Sequence, residues 1–542
     1  MIEVSLNPER KAEYYRKGYW TTDTLLDVWN ARAQALASEQ FVTNQDGISL
    51  TYGQIDAKAT RLAALLSQKG VVEGDVVTFQ LPIWNEFIVA LAACLKIGAV
   101  MHPVSMRFEG DDLARITGIV ESAALLGVRS YRHHDYMKRA RCALSQTASI
   151  RAHFVFEDES WNDAAEEGSE TRSACTNLQP PTQTNADNVA LILSTSGTTG
   201  VSKQVLLTHN NLLFSERTFI KGLGLTKDDV MFMPAPLNHA TGFNHGIIAP
   251  LILGGRTVIQ ERFEPTEALD IINREGVTWS MGATPFIYDI LNAAENTGNI
   301  PRTMRFYLCG GAPVPSRLIQ RASKAGIDVC EVYGSTESCP HVFVPPAKTR
   351  FWDGRFSGIP FEGVEVKVVD DTRRSVPYGT QGEEASRGPH VFVGYLNNPA
   401  STKRALDDEG WFYSGDLCTQ DAQGRIRING RIKDIIIRGG ENISAIEVDE
   451  ALIDCPGIID HACAGYPDDR FGERIGLCAV VEPGANLTLE AIKAYLKAAG
   501  VPKRLWPERL VMVDRIPRTE SGKVRRPLLR DFFKADDGNA KR

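Results

Sequence analysis

Ten consecutive residues, Ser194-Thr195-Ser196-Gly197-Thr198-Thr199-Gly200-Val201-Ser202-Lys203, are almost all hydroxylated or glycine and end in a lysine. Glycine lets a backbone approach a ligand closely and can aim several N–H groups at one point. The hydroxyls add donors and the lysine adds a positive charge. The chemistry such a loop suits is binding of a polyphosphate. No Gly-Lys-Ser/Thr closes it, so it is not a Walker A loop. Two β-branched apolar runs flank it, Val189–Leu193 and Val205–Leu207, an arrangement foreign to a flexible linker.

Four further constellations carry potential chemistry. Tyr333-Gly334-Ser335-Thr336-Glu337 follows the strand-like run Val329–Val332; a tyrosine face can stack on a purine, a threonine hydroxyl can bond a phosphate, and a glutamate can hold Mg²⁺. Tyr413-Ser414-Gly415-Asp416 sets a carboxylate after a glycine turn, a good acceptor for two adjacent ribose hydroxyls and equally the chemistry of an Asx turn. Gly430-Arg431-Ile432-Lys433-Asp434, with Arg438-Gly439-Gly440-Glu441 beyond it, offers a guanidinium for phosphate and a glycine pair for close approach. Pro517-Arg518-Thr519-Glu520-Ser521-Gly522-Lys523 is a second small-residue loop ending in lysine. His239 stands in Pro236-Leu237-Asn238-His239-Ala240-Thr241-Gly242, whereas His102 and His245 read as core histidines.

The elements that must position these residues are legible from periodicity. Leu25–Ala37 and Thr51–Lys69 are amphipathic at helical spacing, and Val76–Leu81 is a short apolar strand. Alternation continues through strands at Val189–Leu193, Val230–Met233, Thr278–Met281 and Phe306–Cys309, separated by helices from about Asn211, around 265–274 and around 285–296. This argues for parallel sheets covered by helices. From Gly354 to about Gly430, short segments such as Val364–Val369 and Arg425–Ile428, separated by Gly/Pro/Asp turns, predict antiparallel β structure, and a smaller α+β segment follows Arg431.

The 542 residues, 43% hydrophobic and 23% charged, suffice for two or more domains with their own cores. A net charge of −7 argues against a nucleic-acid partner. The ten cysteines include no Cys-x-x-Cys pair, which disfavours a zinc site or disulfide framework and suits a cytoplasmic location. Met1–Trp20 is charged and lacks the apolar centre of a signal peptide. Phe87–Val104, the longest apolar stretch, is interrupted by Lys96 and His102; it reads as a buried helix leading into a strand, with no stable membrane insertion expected.

Taken jointly and in this order, the motifs resemble the acyl-adenylate-forming superfamily, which includes acyl-CoA synthetases, stand-alone adenylation domains and luciferases. The resemblance runs from about Thr22 to Arg530. It is closest to bacterial short- and medium-chain fatty acyl-CoA synthetases, through Met233–Phe243, Met281–Phe286, Glu383–Pro389 and Arg438–Ile443, and shades into alicyclic-acid ligases such as cyclohexanecarboxylate-CoA ligase. It implies an α/β multidomain protein. A large N-terminal domain, residues 1–430, holds two doubly wound sheets plus a β-barrel-like subdomain over about 354–430. A hinge at 431–433 leads to a small mobile α+β C-terminal lid domain, 434–542.

The implied reaction converts a carboxylic acid, ATP and CoA into acyl-CoA, AMP and pyrophosphate through an acyl-adenylate. By the same resemblance, Thr195, Ser196, Gly197, Thr198, Thr199, Gly200 and Lys203 cradle the β- and γ-phosphates. Glu337 holds Mg²⁺ and Thr336 contacts the α-phosphate. Tyr333, in the segment with Gly334 and Ser335, stacks on adenine, whose other face meets Gly311-Ala312-Pro313. Asp416 clamps the ribose and Arg431 aids ribose and phosphate binding. Lys523 drives adenylation, then withdraws as the small domain rotates about Lys433 and brings Arg438, Gly439 and Gly440 beside the pantetheine of CoA. His239 lies where the acyl pocket meets the thiol path, with Ala240, Thr241, Phe243, Thr284, Phe286 and Cys309 to Gly311, Gly310 included, as acyl-pocket candidates. None of these candidates beyond His239 is charged or titrates near neutrality, which implies an uncharged apolar acid of modest size. Ala240 replaces the asparagine of dihydroxybenzoate ligases at this place. The family's usual Pro-Lys-Gly is here Ser202-Lys203-Gln204, so a stiffer loop exit is expected. Loading of an acyl carrier protein and aryl-acid ligation are the alternative activities, and a homodimer is left open.

Overall fold

The computed structural model describes residues 2, 4, 7–156, 178–195, 202–311, 314–519 and 522–536. Two large sheets form the N-terminal part. In the first, strands lie in the order Gly394–Tyr395, Gln204–Thr208, Val189–Ser194, Val100–Pro103, Val76–Phe79, Ala124–Gly127, Ala152–Val155. From Val189–Ser194 onward its neighbours are parallel. Gln204–Thr208 is antiparallel to both of its neighbours. The hydroxyl-rich loop therefore spans a hairpin rather than a strand-to-helix turn.

The second sheet has nine strands, with Ser49–Thr51 and Gln40–Thr43 at one edge, then Arg256–Ile259, Val230–Met233, Trp279–Gly282, Phe306–Gly310, Asp328–Ser335, Cys339–Phe343 and Ile359–Pro360. Its centre is parallel and its edge pairs are antiparallel. Parallel strands need helical crossovers, and the sequence supplies them with explicit start signals. Thr24 and Asp27 form a capping box before Leu25–Ala35, as Thr51 and Gln54 do before Tyr52–Gln68 and Thr208 and Asn211 before His209–Leu223. Asn85–Ile97 is buried on nearly every side, which is why its sequence is apolar all round.

The predicted barrel-like subdomain is a four-stranded antiparallel sheet, in order Glu365–Val369, Gly382–Arg387, Phe412–Gln420, Ile426–Arg431. Sheet membership then changes across the short helical turn Ile432–Asp434. Ile435–Arg438 already belongs to the C-terminal sheet, with Glu441–Ser444, Gly472–Val481, Ile458–Asp468 and Arg509–Met512. Helices Ala445–Leu452 and Leu489–Ala498 contribute Val448, Leu452, Ile492 and Leu496 to a core with Ile436 and Leu477 of that sheet.

One buried acid has a measurable consequence. Glu331, on Asp328–Ser335, is only 4% exposed. Burial pushes its carboxyl from 4.5 up to about 7, against the opposing pull of Ser357, Arg427 and the Val314 N–H. A proton held more tightly in the native state stabilises it fully below pH 4.5, and that contribution is lost as pH rises through about 7. Glu331→Gln is therefore expected to be more stable than the wild type by on the order of 1–3 kcal/mol at about pH 8, with the gain disappearing at about pH 4.5. Urea unfolding at both pH values checks this, and a difference independent of pH contradicts it.

Candidate active site

Each of the four larger sheets sends a chain segment to one region. From the first, Thr195 and Lys203 close the neck of the hydroxyl-rich loop, the Thr195 N–H donating to the Lys203 carbonyl at 2.9 Å. Gln204 is buried beside them. Its side chain accepts from Ser194 Oγ at 2.9 Å and donates to the Ser202 carbonyl at 3.3 Å, which ties the neck of the loop. Ser196, Gly197, Thr198, Thr199 and Gly200 lie outside the described residues, as do Ala312 and Pro313.

From the second sheet, Asp328–Ser335 runs into a tight turn carrying Thr336 and Glu337. Ser335 Oγ accepts from the backbone N–H groups of Glu337 and Ser338, each at 3.2 Å, so the serine shapes the turn. Glu337 Oε1 accepts from the Tyr395 hydroxyl at 2.8 Å. The Lys203 ammonium sits 4.6 Å from the centre of the same Tyr395 ring. One aromatic residue thus connects the loop lysine to the carboxylate expected to hold a metal.

From the third sheet come Asp416 and Arg431, paired across neighbouring strands. Their charges approach to 3.0 Å. Tyr333 donates to Asp416 Oδ2 at 2.9 Å. Burial raises the Asp416 carboxyl above its usual range, and Arg431, Tyr333 and Lys523 pull it back. Among the described residues, Asp416 Oδ1 is buried and receives no hydrogen bond, although Arg431 is close.

The C-terminal domain supplies Lys523. Its loop is closed by the Thr519 N–H donating to the Lys523 carbonyl at 2.8 Å, by the Lys523 N–H donating to Thr519 Oγ1 at 3.1 Å, and by Arg518 donating to the Gly522 carbonyl at 2.9 Å. A methyl group built on Gly311 would stand 2.9 Å from Lys523 Cε, and one on Gly522 would stand 2.9 Å from Ala283 Cβ. Burial lowers the lysine's pKa, Arg431 adds to this, and Asp416 and Glu337 oppose it. His239 is held down at about 3, first by burial and then by the Lys523 charge, so its imidazole is neutral at working pH. The Thr241 N–H donates to His239 Nδ1 at 3.3 Å, which orients the ring just before the wide helical turn Thr241–Ile248. Wide turns of this type recur at functional sites.

The structure thus gathers Lys523, His239, Glu337, Tyr333, Asp416, Arg431 and Gly311. Gly310 ends a neighbouring strand, paired with Val332, and Thr284 opens the helix Thr284–Thr297 just after Ala283. Ala240 and Phe243 are buried, and Gly334 lies on the Tyr333 strand. Arg438, Gly439 and Gly440 stand elsewhere, in the turn between Ile435–Arg438 and Glu441–Ser444. There Arg438 grips both Glu508 carboxylate oxygens, at 2.9 and 3.0 Å, and the Gly439 N–H donates to the Phe471 carbonyl at 2.7 Å. Lys433 is exposed in the turn where the sheets change. His102 and His245 are core residues as read, bonded to Thr78 and Glu216 respectively. Tyr395 and His341 were not singled out from sequence, and Glu384 entered only within the Glu383–Pro389 segment, with no role given, although each reaches this site. Only the tyrosine had a local signal, as an aromatic directly after Gly394 and shortly before a turn.

Fold and site together define a two-domain α/β protein in which the small domain inserts a lysine among the acids and arginine of the large one. The chain belongs to the AMP-binding enzyme family. The model of the AMP-binding enzyme matches residues 29–396, and that of the AMP-binding enzyme C-terminal domain matches residues 447–523. The medium-chain fatty-acid–CoA ligase of Escherichia coli (strain K12) is 39% identical over 98% of this chain and 94% of its own length. A feruloyl-CoA synthase from Amycolatopsis sp is 30% identical over 94% of this chain and 99% of its own. The crystal structure of ATP-bound MatB from Rhodopseudomonas palustris superimposes with a TM-score of 0.80 at 27% identity, covering 94% of this chain and 99% of that one.

Proposed function

We propose that this chain is an ATP-dependent acid–CoA ligase working through an acyl-adenylate, with a short- or medium-chain fatty acid or an alicyclic acid as substrate. The observation that carries the reading is the meeting of Lys523, from the C-terminal domain, with Glu337, the Asp416–Arg431 pair and His239, which come from separate parts of the N-terminal domain. A carboxylate is a poor electrophile until one oxygen becomes a leaving group. In the first step the acid's oxygen attacks the α-phosphate of ATP and pyrophosphate departs. Lys523 faces the bond being made and neutralises charge developing on the phosphoryl oxygens, the dominant form of catalysis in such transfers. Lys203 and the loop it closes steady the departing pyrophosphate, and Thr336 bonds the α-phosphate. Asp416 Oδ1 is the acceptor a ribose hydroxyl would fill, with Arg431 beside it. Tyr333 and Gly311 flank the adenine.

A magnesium ion fits this donor set. The described residues contain no cluster of three or more ligating side chains, and a cation held by one carboxylate plus substrate phosphates is the usual magnesium arrangement. Glu337 would hold it, oriented by Tyr395, and the ion would supply further charge neutralisation on the phosphates.

In the second step the CoA thiol attacks the acyl-adenylate and AMP leaves. Residues 434–542 act as the lid, turning about Lys433, so that Lys523 withdraws and Arg438–Gly440 reach the pantetheine. Such a change between half-reactions is a gated domain motion. Neutral His239, with Ala240, Phe243, Thr284 and Gly310, lines the acyl end; an apolar wall favours an uncharged aliphatic acid. No helix among the described residues is long and apolar enough to cross a membrane. The nine described cysteines are all unpaired, which supports a reducing, cytoplasmic setting.

The test is an assay with acid, ATP, magnesium and CoA alone, following AMP and thioester, together with hydroxylamine trapping of the adenylate over linear, alicyclic and aromatic acids from acetate to dodecanoate. Thioester formation without any carrier protein is expected, greatest with an aliphatic acid. AMP production that requires a carrier protein overturns the ligase reading, and a clear aromatic preference overturns the substrate class.

A further inference from the structure

Tyr395 meets two opposite charges on one ring. Its hydroxyl donates to Glu337 Oε1 at 2.8 Å, and the Lys203 ammonium stands over its face, 4.6 Å from the ring centre. Among the described residues, Lys203 forms no ion pair with a carboxylate, and nothing donates to the second Glu337 oxygen. The ring has little freedom. It is 6% exposed, and Phe392 packs edge-on against it with ring centres 4.8 Å apart. The Tyr395 N–H donates to Thr402 Oγ1 at 2.9 Å. Its strand, Gly394–Tyr395, pairs with Gln204–Thr208, and the Leu396 N–H donates to the Gln204 carbonyl at 2.9 Å. The Phe392 N–H donates to the Glu337 carbonyl at 2.7 Å. The backbone around Tyr395 is thus tied both to the residue after Lys203 and to Glu337 itself.

A site that offers a cation and a carboxylate to one ligand must keep the two from satisfying each other. An ammonium on a flexible stem and a nearby carboxylate attract, and a direct pair would occupy the oxygen that a metal needs and the charge that a phosphate needs. Ligand binding would then have to break that pair first. The phenol gives each charge a weaker, neutral partner: an electron-rich face for the ammonium, and one hydroxyl proton for a single carboxylate oxygen. Arg431, another cation of the site, is already engaged by Asp416 at 3.0 Å.

We propose that Tyr395 is a positioning residue that separates Lys203 from Glu337, keeping both charges open for the polyphosphate and its metal. The proposal rests on the reading of Glu337 as the metal carboxylate and of Lys203 as a phosphate ligand. Tyr395 itself touches no reacting atom.

The experiment uses the full-length protein and α,β-methylene-ATP, whose bridging carbon prevents departure of pyrophosphate. Calorimetry gives its affinity with and without Mg²⁺, and the ratio of the two is the gain from the metal. AMP binding, which involves neither the loop lysine nor the metal, is measured alongside. Tyr395→Phe keeps the ring between the charges and removes the hydroxyl, so the metal gain should fall about 10-fold, the scale of a lost partner to a metal-binding group. Tyr395→Leu removes the separator as well, and the gain should fall further. Lys203→Met should then raise the gain at least about 3-fold more in the Tyr395→Leu background than in the wild type, the scale of one partly exposed ion pair released. A residue that only fills space gives no such rescue. AMP affinity should stay near wild type in every Tyr395 variant, and an equal loss for AMP overturns the proposal in favour of general packing. An unchanged metal gain in Tyr395→Leu also overturns it, as does an equal effect of Lys203→Met in both backgrounds. If Glu337→Gln keeps the wild-type metal gain, the reading of Glu337 as the metal carboxylate fails; if it abolishes the gain and the Tyr395 variants keep it, only the positioning proposal fails.

Discussion

Lys523→Ala is expected to lower acid-dependent pyrophosphate release by about 10²–10³ and to leave thioester formation from supplied acyl-adenylate and CoA near the wild-type rate. The loop carrying this lysine is held by backbone bonds and by Thr519 and Arg518, none of which involves the ammonium. Truncation therefore removes a charge and leaves the loop in place. What is lost is a cation facing Glu337 and Asp416 in a confined site, where one charge-assisted contact contributes roughly 3–4 kcal/mol to the transition state. Lys523→Arg should not restore activity fully, because a planar fork delivers its charge differently from a compact ammonium. The same truncation should let His239 titrate at higher pH, since the lysine charge is the second cause of its depressed value. Pyrophosphate–ATP exchange, single-turnover thioester formation and NMR titration of the imidazole read the three effects separately. Unimpaired exchange in Lys523→Ala would remove this residue from the chemistry.

How far the sequence reached depended on whether the determining forces were local. The predicted helix over 285–296 is Thr284–Thr297, and that over 265–274 is Pro265–Glu275, because apolar spacing and terminal glycines act within a few residues. Edge pairing was less legible: the order of strands and the open four-stranded sheet depend on contacts between distant segments. At the N-terminus, Met1–Trp20 offered only the absence of an apolar centre, yet Asn7 caps a helix, Pro8–Arg16, whose Tyr15 bonds Asp187 across the fold.

The site divides in the same way. Glu337, Asp416, Arg431 and Lys523 stood out because each follows a run of small or glycine residues in the sequence, and the order of these segments carried the rest. Tyr395, His341 and Glu384 gave no such sign. Each lies within a strand, where an aromatic or a charged residue reads as an ordinary core or solvent face. Their relation to the site arises only when Gly394–Tyr395 pairs with Gln204–Thr208, and when Cys339–Phe343 approaches Gly382–Arg387. A fully buried carboxylate violates the rule that usually lets faces be assigned, and such violations mark functional regions more often than errors of folding.

Gly439→Leu is expected to give the opposite pattern to Lys523→Ala: adenylation close to wild type, with acyl-CoA formation reduced by about 10². The glycine has φ +59°, and a Cβ there would stand 3.2 Å from the Phe471 ring. Strain from a side chain in this left-handed conformation is about 1–2 kcal/mol, small enough for the domain to fold with its core of Ile436, Val448 and Leu477 intact. In this structure the turn rests against Glu508 and Phe471, and on the proposed reading that is the adenylating arrangement, in which added bulk has little to obstruct. For the thiol step the proposed domain rotation brings the same turn to the pantetheine, where a leucine would both occupy that approach and displace the N–H groups. Exchange measurements and CoA-dependent turnover on one preparation separate the two rates. If Gly439→Leu slows both half-reactions equally, or if Lys523→Ala does so, one arrangement of the domains serves both steps and rotation about Lys433 is unnecessary. Opposite selectivity in the two variants requires that the lysine and the glycine turn occupy the site in succession.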